Sequence, residues 1–119
     1  MIYGIGCDMT EIKRVEKSLE REAFAEKVFS PTERETFLGK ASKLAGCFAA
    51  KEAFAKALGT GVRGFGWDEV SALRDELGKP YYVFTGKALE IVTTKNLKAH
   101  LSITNEGGFA MAYAILETE

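Results

Sequence analysis

Residues 41–58 read ASKLAGCFAAKEAFAKAL, and Gly59 follows. Alanine, leucine and lysine are strong helix formers, so this run predicts the longest helix of the chain. Gly59 stops it, because glycine takes the left-handed conformation that ends helices without a Cβ penalty. Towards the N-terminus, Ser30-Pro31-Thr32-Glu33 starts another helix. Ser30 is the N-cap, Pro31 fits the first helical position, and Glu33 completes a capping box. Further back, Ile12, Val15 and Leu19 recur at i, i+3 and i+7, the stripe of an amphipathic helix, with Thr10 as its expected N-cap. Ile2, Ile5 and Cys7 form an apolar run ending at Asp8, which predicts a first strand. Towards the C-terminus, 60–66 is a glycine-rich loop. Val70 to Arg74 and Tyr81 to Phe84 read as strands around a turn at Gly78-Lys79-Pro80, and 86–94 reads as a short helix. His100 to Thr104 and Phe109 to Leu116 are two further strands, joined at Asn105-Glu106-Gly107-Gly108 by hairpin chemistry. The order β-α-α-α-β-β-α-β-β predicts an α+β fold, an antiparallel sheet packed on one long helix.

A length of 119 residues predicts one domain, 1–119, with a single modest core. Hydrophobic residues make up 46% and charged residues 28%, the balance of an ordinary soluble globular protein. The formal net charge of −1 argues against a general nucleic-acid binder, which carries a basic excess, and leaves room for local basic faces. Cys7 and Cys47 are the only cysteines. With no CxxC and no Cys/His cluster, zinc is not expected, and both read as buried thiols in a reducing cytosol. The N-terminus lacks a basic region followed by a long apolar run, so it is not read as a signal peptide. No stretch approaches the roughly 20 apolar residues of a membrane span. The expected location is cytoplasmic.

Few residues stand out for chemistry. Asp8 ends the first strand beside the glycines at 4 and 6, a good position for a hard cation, although from position alone a surface or N-cap aspartate is the commoner case. Glu52 sits inside the long helix with Lys56 four residues on, on the same face; a solvated Glu–Lys pair is the plain alternative. Two carboxylates far apart in sequence can share a magnesium ion with substrate phosphates, since magnesium takes one or two protein carboxylates and keeps waters. Gly59-Thr60-Gly61-Val62-Arg63-Gly64 matches G-x-G-x-x-G by letter, but it follows a helix rather than a strand, so the dinucleotide reading is rejected. A phosphate-binding loop beside Lys56 and a simple helix stop both remain open. Lys13, Arg14, Lys17 and Arg21 fall on the first predicted helix. Positions 14, 17 and 21 share the face opposite the apolar stripe, either a solvated face or a docking face for an acidic partner. His100 is the only histidine, and no G-x-S-x-G elbow exists, which argues against Ser-His-Asp hydrolase chemistry.

Several segments together resemble one family. GIGCDMTEIKRV at 4–15 is similar to the G-I-G-x-D-x-x-x-I-x-R opening of the holo-acyl-carrier-protein synthases, the small phosphopantetheinyl transferases. LAGCFAAKEAFAKALGTG at 44–61 resembles their second signature, F-A-x-K-E-A-x-x-K-A-x-G-T-G. Gly78-Lys79-Pro80, Leu101-Ser102-Ile103-Thr104 and Ala110-Met111-Ala112 follow in family order. The resemblance implies transfer of 4′-phosphopantetheine from coenzyme A to a serine of an apo-acyl carrier protein, in support of fatty-acid or polyketide synthesis. It implies a homotrimer with sites in the clefts between subunits. Asp8 and Glu52 take the positions of the Mg2+ ligands, and Asp8, Glu52 and Lys56 those of the catalytic residues. Lys56, Gly59, Thr60, Gly61, Lys79, Pro80, Ser102, Thr104 and Asn105 fall where the family binds coenzyme A. Arg14 and Arg21 lie on the helix that docks the carrier. The chain departs from the pattern at Cys47, where many members have arginine, and at Asn105, where many have histidine. Both positions lie near the nucleotide end of coenzyme A in the family. Two other classes of function compete: a non-catalytic carrier-binding module and a small magnesium phosphodiesterase.

Overall fold

The computed structural model describes residues 1–118. Strand β1 (Ile2–Glu11) leads into helices α1 (Ile12–Ser18), α2 (Glu22–Val28), α3 (Pro31–Thr36) and α4 (Ala41–Leu58). A 3-10 turn at Trp67–Glu69 precedes β2 (Val70–Arg74) and β3 (Pro80–Phe84). Helix α5 (Gly86–Thr94) and strands β4 (Leu97–Glu106) and β5 (Phe109–Thr118) complete the order. The sheet is antiparallel, as expected, but divided: β1-β5-β4 form one sheet and β2-β3 a separate pair. Gly107 and Gly108 make the tight turn between β4 and β5 with φ of 60° and 84°, the two positive values that a type I′ hairpin requires.

Three local expectations change. Strand β1 runs past Asp8 to Glu11, so Thr10 is a buried strand residue and not an N-cap. Glu11 occupies the cap of α1 without a side-chain bond, and the helix start is tied instead by Ile12 N–H donating to the Gly108 carbonyl at 2.9 Å. The first helix also ends early. Arg21 lies outside it as the extended N-cap residue of α2, a helix absent from the sequence reading. The cysteines divide as well: Cys47 is buried, whereas Cys7 is exposed because it alternates onto the outer face of β1.

Helix α4 is the centre of the core. It is apolar on nearly every side, as a helix surrounded by other elements must be. It lies directly on β1, where Gly4 and Gly6 face it. A Cβ built on Gly6 would stand 2.0 Å from the Ala53 carbonyl oxygen, and one on Gly4 would stand 2.0 Å from that of Ala57. Backbone meets backbone there, and only glycine leaves room. On another side, Tyr82 of β3 donates its hydroxyl to the Ala50 carbonyl at 2.6 Å, and its ring joins Phe54 and Phe84 in an aromatic cluster.

A buried ion pair ties α4 to α3 and β2. Lys51 Nζ stands 2.6 Å from Glu33 Oε1, both side chains almost wholly enclosed, and it also donates to the Val70 carbonyl. The Glu33 carboxylate accepts the Ser30 N–H at 3.0 Å and the Ala72 N–H at 2.9 Å. The capping box read from Ser30 and Glu33 is therefore present, and the same carboxylate holds three elements together. Removing one member strands the other charge in the core, at a cost of about 3–5 kcal/mol. Lys51→Met is expected to lose about that much stability in urea denaturation. The double variant Glu33→Gln with Lys51→Met should recover part of the loss, since no charge is left unpaired. A single variant as stable as the parent would remove this pair from the core's essential contacts.

Candidate active site

On α4, Phe48, Glu52 and Lys56 are partly or fully exposed while the residues between them are buried. They are spaced by four, so they form one stripe along the open side of an otherwise enclosed helix. Asp8 joins that stripe from β1. Gly4, Gly6, Asp8 and Thr10 alternate onto the face of β1 turned towards α4, and the glycine contacts at Ala53 and Ala57 bring the two backbones together beside it.

Lys56 bridges the two elements. Its Nζ donates to the Cys7 carbonyl at 3.0 Å and lies 3.4 Å from Asp8 Oδ1. The Lys56 side chain remains 54% exposed and that of Asp8 17%, so the lysine keeps an open side for a ligand. Thr10, buried two residues along β1, donates its hydroxyl to Asp8 Oδ2 at 2.7 Å. An open pocket of about 280 Å³ adjoins the cluster, lined by Ile5, Gly6, Cys7, Lys56 and Tyr113. One turn before Glu52, the ring of Phe48 stacks on Trp67 with centroids 5.2 Å apart.

Glu52 is electrostatically uncomfortable. Burial holds its pKa above the ordinary carboxylate value, the Asp8 charge adds to the rise, and the Lys56 and Arg14 charges oppose it. Two carboxylates that repel each other across a partly dry gap fit a hard divalent cation, which would relieve the repulsion. Among the described residues no group of three metal-binding side chains occurs. A cation between Asp8 and Glu52 would thus need further oxygen ligands from phosphate or water, the usual arrangement for magnesium.

The other candidate residues are spread more widely. Gly59 ends α4 at φ 85°, and Thr60 and Gly61 continue as an exposed loop just beyond Lys56. Lys79 lies in the β2–β3 turn and Pro80 opens β3. Ser102 and Thr104 point to the outer face of the sheet, paired with Tyr113 and Met111, so within one chain they are on the opposite side from Asp8. Asn105 is exposed near the end of β4. Arg14 is exposed on α1, and its charge reaches Glu52, whereas Arg21 lies 5.9 Å over the Phe24 ring. Cys47 has no surface for a ligand: it is fully buried, its thiol donates to the Ala72 carbonyl at 3.3 Å, and burial pushes its pKa far up. The sequence reading makes Thr10 a helix N-cap and not a partner of Asp8, and it gives no sign of the Phe48–Trp67 stack, because a mid-strand threonine and two distant aromatics carry no local signal.

The position of Glu52 has a consequence for stability. A carboxyl whose folded pKa is raised favours folding while protonated and opposes it once ionised. Without divalent cations, Glu52→Gln should therefore melt above the parent near neutral pH, and the advantage should shrink as the pH falls through the carboxylate range. Calorimetry in chelator across a pH series tests this. No gain near neutrality would mean that Lys56 and Arg14 outweigh burial.

Comparison with known proteins places the chain in a family. Residues 4–114 match the family model described as the 4′-phosphopantetheinyl transferase superfamily. The holo-[acyl-carrier-protein] synthase of Trichlorobacter lovleyi is 44% identical, with 98% of each chain covered. The crystal structure of the Neisseria meningitidis holo-[acyl-carrier-protein] synthase superposes with a TM-score of 0.91 at 35% identity, covering 99% of this chain and 100% of that one. The Bacillus anthracis enzyme, solved in complex with CoA (3′,5′-ADP), superposes with a TM-score of 0.83 at 34% identity, covering 100% of this chain and 99% of that one. With a match over nearly the whole chain in both sequence and fold, the protein belongs to the 4′-phosphopantetheinyl transferase superfamily.

Proposed function

We propose that this chain, acting as one transferase domain, moves 4′-phosphopantetheine from coenzyme A to a serine of an apo-acyl carrier protein and releases adenosine 3′,5′-bisphosphate. The observation that carries the reading is the convergence of Asp8, Glu52 and Lys56 on the open side of α4. Family membership and the names of the relatives support it. Phosphoryl transfer asks mainly for positioning and for positive charge where the oxygens become more negative.

Each residue has a role in this reading. The carrier serine attacks the phosphorus on the pantetheine side, and the bond to the leaving 3′,5′-ADP breaks. Lys56, held at Cys7 and Asp8 with an open side, donates to a phosphate oxygen as charge builds there. Asp8 and Glu52 hold Mg2+, which when bound neutralises the pyrophosphate of coenzyme A. Glu52 receives the serine proton, directly or through one water molecule that it orients. Gly59, Thr60 and Gly61 extend the cleft for coenzyme A beyond Lys56. Arg14, next to the site, meets the acidic carrier, with Arg21, beyond the end of α1, as a second contact.

Ser102, Thr104, Lys79 and Pro80 complete the coenzyme A cleft from a neighbouring copy. The sheet face that carries Ser102 and Thr104 supports this part of the reading. Tyr3, Ile5, Met9, Phe109, Tyr113 and Ile115 are exposed there, more apolar surface than a solitary small protein usually presents. Three copies is the number that the resemblance implies. No helix among the described residues is long and apolar enough to cross a membrane. A cytoplasmic location, with coenzyme A and the carrier at hand, belongs to the same proposal.

Two outcomes are expected. Asp8→Asn and Glu52→Gln should each lower transfer by about 100-fold or more while remaining folded. Mass spectrometry of an apo-carrier incubated with enzyme, coenzyme A and magnesium measures this through the phosphopantetheine adduct, and near-parental turnover in either variant contradicts the site. Light scattering should give a trimer for the parent chain and smaller species for Tyr113→Glu, which buries a charge in the shared face. A parent chain that stays monomeric at all concentrations removes the shared cleft.

A further inference from the structure

Thr10 is only 1% exposed, and its hydroxyl points at one group, the carboxylate of Asp8. Valine would fill the same space in a strand and suits it as well. The hydroxyl is therefore not needed for packing. At 2.7 Å its bond to Oδ2 is as short as a charge-assisted O–H···O⁻ bond. The other oxygen, Oδ1, faces Lys56 Nζ at 3.4 Å. The two oxygens of Asp8 thus have distinct partners, one inside the protein and one on the open side. Left to itself, the terminal torsion of an aspartate is broad and roughly two-fold, and either oxygen could swing towards the lysine.

We propose that Thr10 is a positioning residue, which commits Oδ2 of Asp8 to the protein and leaves Oδ1 presented, in a fixed orientation, to a divalent cation. The inference rests on the reading of Asp8 and Glu52 as cation ligands. Thr10 touches neither cation nor substrate. It acts through Asp8, as groups behind a ligand commonly do, and loss of such a partner costs about 10- to 100-fold in metal affinity or activity.

The test is direct Mn2+ binding, read from the electron paramagnetic resonance signal of free Mn2+ during titration of protein saturated with coenzyme A. Coenzyme A without protein supplies the baseline. Thr10→Val should bind Mn2+ about 10-fold more weakly than the parent, while its thermal midpoint without metal stays close to the parent's. Thr10→Ser keeps the hydroxyl and should bind as the parent does. Thr10→Ala removes the same hydroxyl with a smaller side chain, so a folding defect confined to the valine variant does not obscure the result. Parental affinity in Thr10→Val or Thr10→Ala, with binding lost in Asp8→Asn, overturns the role of Thr10 and leaves the cation site standing. Parental affinity in Asp8→Asn overturns both.

Discussion

The contact on which the structure depends is the backbone-to-backbone approach of α4 to β1 through Gly4 and Gly6. A methyl group at either position would overlap a carbonyl oxygen of the helix, so the spacing of the two elements is set by the absence of side chains. The next inward residue of β1 after Gly6 is Asp8. Because strand and helix are so close there, Lys56 reaches both the Cys7 carbonyl and the Asp8 carboxylate. A larger residue at Gly6 would push α4 away and separate Asp8 from Lys56 and Glu52. The glycines thus matter for where they let the chain pack, while their freedom of φ is not used.

The same helix carries a second constraint on its opposite side. Lys51 and Glu52 are neighbours in sequence, yet they project about 100° apart around α4. Lys51 enters the core and finds Glu33, the Val70 carbonyl and a closed hydrogen-bond set. Glu52 faces the opening and finds repulsion from Asp8, only partly offset by Lys56 and Arg14. The buried charge of Lys51 is satisfied inside the scaffold, whereas that of Glu52 stays beside a second carboxylate at the opening.

The three-stranded sheet separates its duties by alternation. Its inner face presents Ala110, Ala112, Ala114 and Leu116 to α4, small enough along most of β5 to let the helix settle close. Its outer face presents Tyr113, Ile115 and Phe109, too large and too apolar for a surface meant only for water. One ten-residue strand therefore lines the internal core and also carries an exposed apolar face, with the side chain's parity deciding which.

Much of the secondary structure was legible in the chain itself. The capping box at Ser30 and Glu33, the glycine stop of α4 and the Gly107-Gly108 hairpin are interactions among residues a few positions apart, so local chemistry determines them. The motifs around Asp8, Glu52 and Lys56 marked the same residues that the fold gathers. What the sequence could not decide was direction. Helix α4 is so uniformly apolar that periodicity does not say which side stays open, and nothing near Glu33 announces that Lys51, eighteen residues away, will neutralise it in the core. Likewise Cys7 and Cys47 look alike among apolar neighbours, yet strand parity exposes one and helix packing encloses the other. Those outcomes depend on which distant surfaces meet, and only the assembled tertiary structure brings them into contact.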